Sequence, residues 1–244
     1  MHSFERCRRA WIGQVEPAVP LRISCLCVGR ACIAAASWPR SCPACAPIAS
    51  MLSRKIDVLI DTRHYLGQAF TGEESGMTIN EAPPRSVAIT GAGSGLGREI
   101  ALRLAEKGYR VFGTALNTDE VDDLAAASSG RAALSIADIT DQTAVQEWVD
   151  TVTAELGEGG LDVLISNAGI LTPGPLEVLP LDAIKREFEV NVFGALAVIN
   201  AFLPSLRQSG GRIVAIGAMT GRFPLPFNGP SSATKAALEA IADV

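Results

Sequence analysis

The fold is decided by the stretch TGAGSGLG, residues 90–97, in which four glycines separate a short apolar run from a helical pattern. The apolar run is Ser86-Val87-Ala88-Ile89, and after the glycines Leu96, Ile100 and Leu104 recur four residues apart. This pattern predicts a glycine-rich turn from a strand into a helix. The start of a helix offers unpaired backbone N–H groups, and glycine lets a phosphate approach the backbone closely. The stretch is therefore a candidate dinucleotide-binding loop, with a purely structural turn as the alternative.

The spacing of the glycines narrows this hypothesis. The common fingerprint G-x-G-x-x-G fails in both registers, because Leu96 or Arg98 would stand at the last glycine. The spacing that fits is T-G-x-x-x-G-x-G, which resembles the cofactor loop of the short-chain dehydrogenase/reductase (SDR) family. The resemblance implies one α/β domain that binds NAD(H) or NADP(H) and moves a hydride to or from an alcohol or carbonyl. It assigns cofactor binding to seven loop residues: Thr90, Gly91, Gly93, Ser94, Gly95, Leu96 and Gly97.

The composition of the 244 residues is that of a chain with one substantial domain. A hydrophobic content of 48% supplies a core, and a net charge of −5 gives neither a basic field for nucleic acid nor a polybasic patch for a membrane. No uninterrupted apolar run has transmembrane length. We therefore expect a soluble, cytoplasmic protein whose partner is a small-molecule substrate, with long helices through which two copies can pair as a homo-oligomer.

The first fifty residues differ in chemistry from the rest. They contain all six cysteines, and six arginines against two glutamates give a local charge of +4. Three interpretations stay open: a zinc site built on the C-x-x-C pair at 42–45, a targeting peptide, or an extension upstream of a start at Met77. The spacing of Cys25 and Cys27 is poor for a second zinc-binding pair, and arginines interrupt every apolar stretch. We favour a low-order extension over residues 1–76 and predict no metal site.

From the first strand onward, strand and helix patterns alternate. Five apolar runs predict strands at 86–89, 110–114, 132–136, 161–165 and 211–216. The alternation predicts an α/β fold, a Rossmann-like doubly wound parallel sheet whose site lies at the carboxyl ends of the strands. We expect the domain over residues 84–244 and expect it to be C-terminally truncated, because the family resemblance implies two further strands and a substrate loop. That would leave the last strand with an unpaired edge, a predicted cause of aggregation.

Polar residues that follow these strands match site positions of the family. The resemblance assigns Asp138, after the third strand, to the adenine ring. It assigns Asn167, Ala168 and Gly169, after the fourth strand, to the wall of the cofactor channel. It assigns Asn191, in the long helix expected over residues 182–206, to a bound water in a proton relay. From the sequence alone, Asp138 is equally a cap or turn residue. For Asn191 the relay position is favoured, and the alternative is a polar residue that caps a local helix irregularity.

The expected active-site motif departs from the family pattern. The family has a tyrosine four residues before a lysine on one helix and a serine thirteen residues before the tyrosine, and the lysine also holds the nicotinamide ribose. Lys235 is present here, but Ser231 stands in place of the tyrosine and Ala218 in place of the serine. An aliphatic hydroxyl is a weaker acid with a shorter reach, and losing a positioned general acid costs about 10²–10⁴ in rate. Neither Ser232 nor Thr220 restores that acid.

The choice between the nicotinamide cofactors depends on the end of the second strand. A protein that prefers NAD places a carboxylate there for the ribose 2′-OH, about twenty residues after the loop. This chain has Ala115, followed by Leu116 where an arginine would bind the 2′-phosphate of NADP. The absence of the carboxylate weakly favours NADP over NAD.

We expect an NAD(P)-dependent oxidoreductase with impaired catalysis. The alternative is a non-catalytic NAD(P)-binding or interaction protein, which would be a pseudoenzyme or a fragment.

Overall fold

The computed structural model describes residues 22–28 and 85–243, in which strands and helices alternate. The strands are β1 (Arg22–Val28), β2 (Ser86–Ile89), β3 (Arg110–Ala115), β4 (Ala132–Ile136), β5 (Val163–Ser166) and β6 (Arg212–Ala218). The α-helices are α1 (Gly95–Glu106), α2 (Thr118–Ala127), α3 (Gln142–Leu156), α4 (Leu181–Phe188), α5 (Ala195–Ser209) and α6 (Gly229–Ala242). A π-helical turn, Glu189–Gly194, joins α4 to α5.

The described strands lie in one parallel sheet in the order β1-β6-β5-β2-β3-β4. From β2 the chain runs outward to β3 and β4, then crosses back to β5 and continues to β6 on the other side. The strand order therefore reverses between β2 and β5, and the loops after these strands flank the crevice in which open α/β sheets bind ligands. The Rossmann-like doubly wound sheet predicted from the sequence is confirmed.

Helices cover both faces of the sheet and bury its central strands. Residues 87–89 of β2 have no exposed surface, as expected for a parallel strand between two helical layers. Helices α1 and α2 pack on one face, and α3 and α5 pack on the other. On the second face the rings of Trp148 and Phe202 meet edge to face with their centroids 5.0 Å apart. Asp141 caps α3 by accepting from two backbone N–H groups, at the helix start that the sequence predicted.

The edge strand β1 comes from the segment that the sequence analysis placed outside the fold. Arg22–Val28 pairs in parallel with Arg212–Ala218 along its whole length. The expectation of an unpaired edge on β6 is therefore wrong, because a strand from the amino-terminal segment supplies its backbone partner. The rest of the predicted extension at 1–76, with the C-x-x-C pair at 42–45, lies outside the described residues. Within the described residues, no group of three or more His, Cys, Asp or Glu could hold a metal.

The longest helical stretch, Leu181–Ser209, runs without a break through α4, the π-helical turn and α5. Its 29 residues, with a mean hydropathy of 1.5 over the most apolar 18-residue window, make it long and apolar enough to cross a membrane by length and composition alone. Half of its most apolar window is buried inside the protein. Core helices that pack on a sheet can be as long and as apolar as a helix that spans a membrane. The long helix expected over residues 182–206 is therefore confirmed, but charged residues interrupt its first half, so it is not visible as an uninterrupted apolar run.

Candidate functional site

The glycine loop leaves β2 at the crevice and enters α1 at Gly95. Gly91 has a φ of +64°, in the left-handed region that glycine adopts without strain. Its N–H donates to Thr114 Oγ1 at 3.0 Å, and the N–H of Ala92 donates to the Thr114 carbonyl at 2.8 Å. The loop is therefore fastened to the neighbouring strand β3.

Asn167 joins the loop after β5 to the glycine loop. Its Nδ2 donates to the carbonyl oxygens of Thr90 at 2.9 Å and Gly91 at 3.1 Å. In return, the buried Thr90 hydroxyl accepts from the backbone N–H groups of Asn167 at 2.9 Å and Ala168 at 3.0 Å. A Cβ on Gly97 would lie 2.5 Å from Asn167 Nδ2, so only glycine fits there. The two motifs found in the sequence form one hydrogen-bonded unit.

The first turn of α1 offers donors for a phosphate. Ser94 precedes the helix in an extended conformation, and its side chain makes no capping hydrogen bond. Ser94 and Gly95 are exposed, and a Cβ on Gly95 would meet nothing within 4 Å. A helix start without a side-chain cap, set in a glycine cradle, fits the pyrophosphate of a dinucleotide. The side chain of Leu96 packs against the core, so its predicted part in binding falls to its backbone.

Lys235, Asn191 and Gly169 form a second cluster at the carboxyl ends of β5 and β6. The ammonium of Lys235 donates to the Ile216 carbonyl at 2.8 Å. A Cβ on Gly169 would lie 3.1 Å from Asn191 Oδ1 and 3.6 Å from Lys235 Nζ. The fold thus brings together three predicted site residues that lie far apart in the sequence. The absence of a side chain at Gly169 leaves room beside the ammonium.

Asn191 is buried in the π-helical turn. Its Oδ1 accepts from the Ile170 N–H at 2.8 Å, and its Nδ2 donates to the Ile170 carbonyl at 3.0 Å and to Thr234 Oγ1 at 3.1 Å. The side chain therefore holds the loop after β5 against α6. π-Helical turns within α-helices are frequent at functional sites. The assignment of a relay water to Asn191 stays a prediction.

Ser231 and Lys235 lie four residues apart on α6 and share a face of that helix. Ser231 is half-buried, and its carbonyl accepts from the Thr234 hydroxyl at 3.0 Å. Ala218 is the last residue of β6, two residues after the Ile216 carbonyl that Lys235 binds. Lys235 therefore reaches the end of β6 from α6, and the two exchanged positions carry a methyl group and a short hydroxyl.

The sequence profile of the short chain dehydrogenase family matches residues 85–244. The chain belongs to this family. The match covers the glycine loop, the Asn167-Ala168-Gly169 segment and the helix of Lys235. The resemblance stated from those motifs is therefore confirmed.

Curated relatives of this chain are named as dehydrogenases and reductases. Retinol dehydrogenase 5 of Homo sapiens is 38% identical over 159 residues, which cover 64% of this chain and 49% of the relative. The 3-ketodihydrosphingosine reductase of Bacteroides thetaiotaomicron is 32% identical over 161 residues, which cover 66% of this chain and 56% of the relative. The chain spans about half the length of these relatives.

Solved structures of the family share the same fold. A xylitol dehydrogenase with bound NAD+ has a TM-score of 0.61 and 30% identity, covering 64% of this chain and 62% of that one. An alcohol dehydrogenase from Thermococcus sibiricus, complexed with 5-hydroxy-NADP, has a TM-score of 0.60 and 28% identity, covering 64% and 68%. Neighbours of this chain therefore include one protein with NAD+ and one with an NADP derivative.

The carboxylate of Asp138 is held by internal partners. Its Oδ1 accepts from the N–H and the hydroxyl of Thr140 at 2.9 and 2.8 Å, and its Oδ2 pairs with the Arg186 guanidinium at 2.9 Å. Partial burial acts to raise the pKa of Asp138, but the Thr140 hydrogen bonds and the Arg186 charge outweigh it and lower that pKa. The side chain already links the loop after β4 to α4, and its contact with adenine stays a prediction.

The buried carboxylate of Glu187 was missed by the sequence analysis. Its side chain has no exposed surface; Oε2 accepts from the Thr172 N–H at 3.0 Å, and Oε1 has no hydrogen-bond partner. Burial raises the pKa of Glu187, although the Thr172 hydrogen bond and the charge of Lys235 act the other way. Its position one turn before Asn191 on the same helix was the available signal. Glu187 connects α4 to the loop after β5.

We expect Glu187→Gln to stabilise the protein at pH 8 and to change little near pH 5. Because folding raises the pKa of Glu187, its stabilising contribution is complete below its ordinary value of 4.5 and is lost as the pH rises through the folded value. Above that value a charged carboxylate is buried, whereas the amide is neutral and still accepts from Thr172. The melting temperature of the variant should lie about 2–4 °C above that of the native chain at pH 8 in a thermal melt.

Glu189→Gln is the matched control for this measurement. Glu189 is exposed and lies two residues further along the same helical stretch, so its substitution removes the same charge without changing a buried group. Its melting temperature should stay within about 2 °C of the native value at both pH values. Coinciding melting curves for the native chain and Glu187→Gln at pH 5 and at pH 8 would contradict the assignment.

Proposed function

We propose that the chain is an NAD(P)-dependent oxidoreductase for an alcohol and carbonyl pair, and that its catalysis is impaired. The observation that carries this proposal is the hydrogen-bonded unit of the glycine loop and the Asn167-Ala168 segment, located where the strand order reverses. Membership of the short chain dehydrogenase family supports a nicotinamide cofactor. The impairment is inferred from Ser231 and Ala218, which stand where the family has its proton-handling hydroxyls.

Each part of the site has an expected task. The glycines and the first turn of α1 bind the pyrophosphate, and the Lys235 ammonium binds the nicotinamide ribose. Asn191 positions the loop after β5, and the peptide groups of its π-helical turn are candidates to order a water. When bound, the nicotinamide supplies or accepts a hydride, and the substrate oxygen must exchange a proton in the same reaction. No phenol stands at Ser231 to make that exchange, so we expect slow turnover.

Exposed apolar side chains around the site favour an apolar substrate. Nine large apolar side chains are exposed among residues 85–243, and six of them lie in the segments 170–181 and 223–227. These segments follow β5 and β6, and they are joined by a 2.7 Å hydrogen bond from the Gly174 N–H to the Phe227 carbonyl. A concentration of exposed apolar groups beside a polar site is typical of a ligand-binding surface. Two relatives are named for retinol and for 3-ketodihydrosphingosine, which supports an apolar alcohol or ketone here.

The second candidate function is NAD(P) binding without catalysis. The observation that favours it is the combination of a complete cofactor loop with Ser231 and Ala218 at the two catalytic positions. Such a protein senses the cofactor or pairs with a complete subunit through its long helices. Phe193 is an exposed aromatic group on the long helical stretch Leu181–Ser209. Pairing of two copies and a cytoplasmic location are further parts of this proposal.

Turnover of two ketones tests the proposed reaction. We expect reduction of 2-undecanone with NADH or NADPH to be about 10²–10⁴ slower than the usual enzymatic rate of roughly 10 s⁻¹. Because each buried methylene contributes about 0.8 kcal/mol, kcat/KM for 2-undecanone should exceed that for 2-butanone at least about tenfold. Equal kcat/KM values would contradict the apolar site. An ordinary enzymatic rate would contradict the interpretation of Ser231 and Ala218, and nucleotide binding without turnover would support the second candidate.

A further inference from the structure

The carboxylate of Glu120 lies between the end of β3 and the glycine loop. Its Oε2 accepts from the Leu116 N–H at 3.2 Å, directly after the last residue of β3. The same side chain packs against Gly93, where an added Cβ would collide with Oε2 and would lie 2.7 Å from the side-chain carboxyl carbon and 2.8 Å from Cβ of Glu120. Glu120 therefore fills the space that a larger residue at Gly93 would occupy.

The start of α2 places this side chain there. Asn117 caps the helix by accepting from the Glu120 N–H at 3.0 Å, which fixes Glu120 in the first turn. Helical side chains point back towards the helix start, so Glu120 reaches towards the carboxyl end of β3. This is the position at which dinucleotide-binding sheets present a carboxylate to the ribose 2′-OH. The residue that ends β3 is Ala115, and the structure brings a carboxylate to the same place from the next helix.

We propose that Glu120 determines cofactor specificity and selects NAD(H) over NADP(H). This inference rests on the proposed function, because it assumes that the glycine loop binds a dinucleotide. A ribose 2′-OH can donate to the carboxylate of Glu120 and replace the hydrogen bond from Leu116. A 2′-phosphate would place about two negative charges against that carboxylate, and the repulsion is strong near a protein surface. This proposal runs against the preference for NADP that was inferred from Ala115 and Leu116.

Dissociation constants for NADH and NADPH test the proposal. They are measured by titration of the native chain and two variants, with the nicotinamide fluorescence as the signal. We expect the native chain to bind NADH at least about tenfold more tightly than NADPH, a difference of about 1.4 kcal/mol. Glu120→Gln keeps an oxygen that accepts from Leu116 and removes the charge, so the preference should fall to within about threefold.

Asp119→Asn is the control variant. It removes the same charge from the exposed residue of α2 next to Glu120. It therefore measures how far a change in net charge alone alters the preference for NADH. It should leave the ratio of the two dissociation constants within about twofold of the native value. Tighter native binding of NADPH, or the same ratio in Glu120→Gln as in the native chain, overturns the role of Glu120 while leaving cofactor binding intact. Failure of the folded native chain to bind either nucleotide overturns the proposed function together with this inference.

Discussion

Replacing Ser231 by tyrosine together with Ala218 by serine is expected to raise turnover by about 10²–10⁴, the contribution of a positioned general acid. Position 231 shares a face of α6 with Lys235, so a phenol there would lie beside the ammonium. A nearby positive charge lowers the pKa of a phenol from about 10 towards the working pH. The serine at the end of β6 supplies a second hydroxyl to orient the substrate oxygen. The measurement is kcat for reduction of 2-undecanone, compared with the native chain.

The matched control for this double variant is Ser231→Phe with Ala218→Ser. It has the same aromatic ring and the same serine, but it lacks the acidic hydroxyl, so it should show no gain in kcat. Nucleotide binding is measured for all three proteins, because only a chain that binds the cofactor reports on proton transfer. Unchanged turnover in a tyrosine variant that binds the nucleotide would contradict the claim that the two exchanged residues limit catalysis.

Gly97→Ala is expected to weaken nucleotide binding about a hundredfold, because moving a positioned group by about 1 Å can reduce its contribution by a factor of that size. The added methyl group would collide with the Gly91 carbonyl and would lie 2.5 Å from Asn167 Nδ2. The Asn167 amide must then move away from Thr90 and Gly91, which it holds by hydrogen bonds of 2.9 and 3.1 Å. We also expect the free energy of unfolding to fall by about 1–3 kcal/mol, as for an overpacked core position.

Gly159→Ala is the control for this substitution. An added Cβ at Gly159 meets nothing within 4 Å, and the residue lies after α3, away from the glycine loop. The control should therefore retain native nucleotide affinity. If Gly97→Ala bound the nucleotide as tightly as Gly159→Ala does, the glycine loop would not be the cofactor site.

Features that depend on neighbouring residues were predicted well from the sequence. The strand β4 has the predicted bounds at 132–136, and Asp141 caps α3 as its position before an apolar periodicity indicated. The glycine loop was placed correctly because its strand, its turn and its helix are consecutive in the chain. Local periodicity and capping determine these features, so a single sequence contains the information.

Features that depend on contacts between distant segments were not predicted. A carboxylate was sought at Ala115, the end of β3, and the packing of Glu120 against Gly93 of the glycine loop was not foreseen. Glu187 was overlooked because burial of one charged residue on a helix depends on what packs against it. The parallel pairing of Arg22–Val28 with β6 joins segments far apart in the chain. Tertiary packing decides all three, and sequence periodicity does not report it.

The most direct test of the account is a calorimetric titration of the native chain with NADH, run beside Gly97→Ala. The central claim is that the unit of Thr90, Gly91 and Asn167 binds a nicotinamide dinucleotide although the catalytic hydroxyls are replaced. The account predicts saturable binding of one nucleotide per chain at micromolar concentrations, and binding about a hundredfold weaker in a folded Gly97→Ala variant. Absence of binding by the folded native chain at millimolar nucleotide, or equal affinity in the variant, would contradict it.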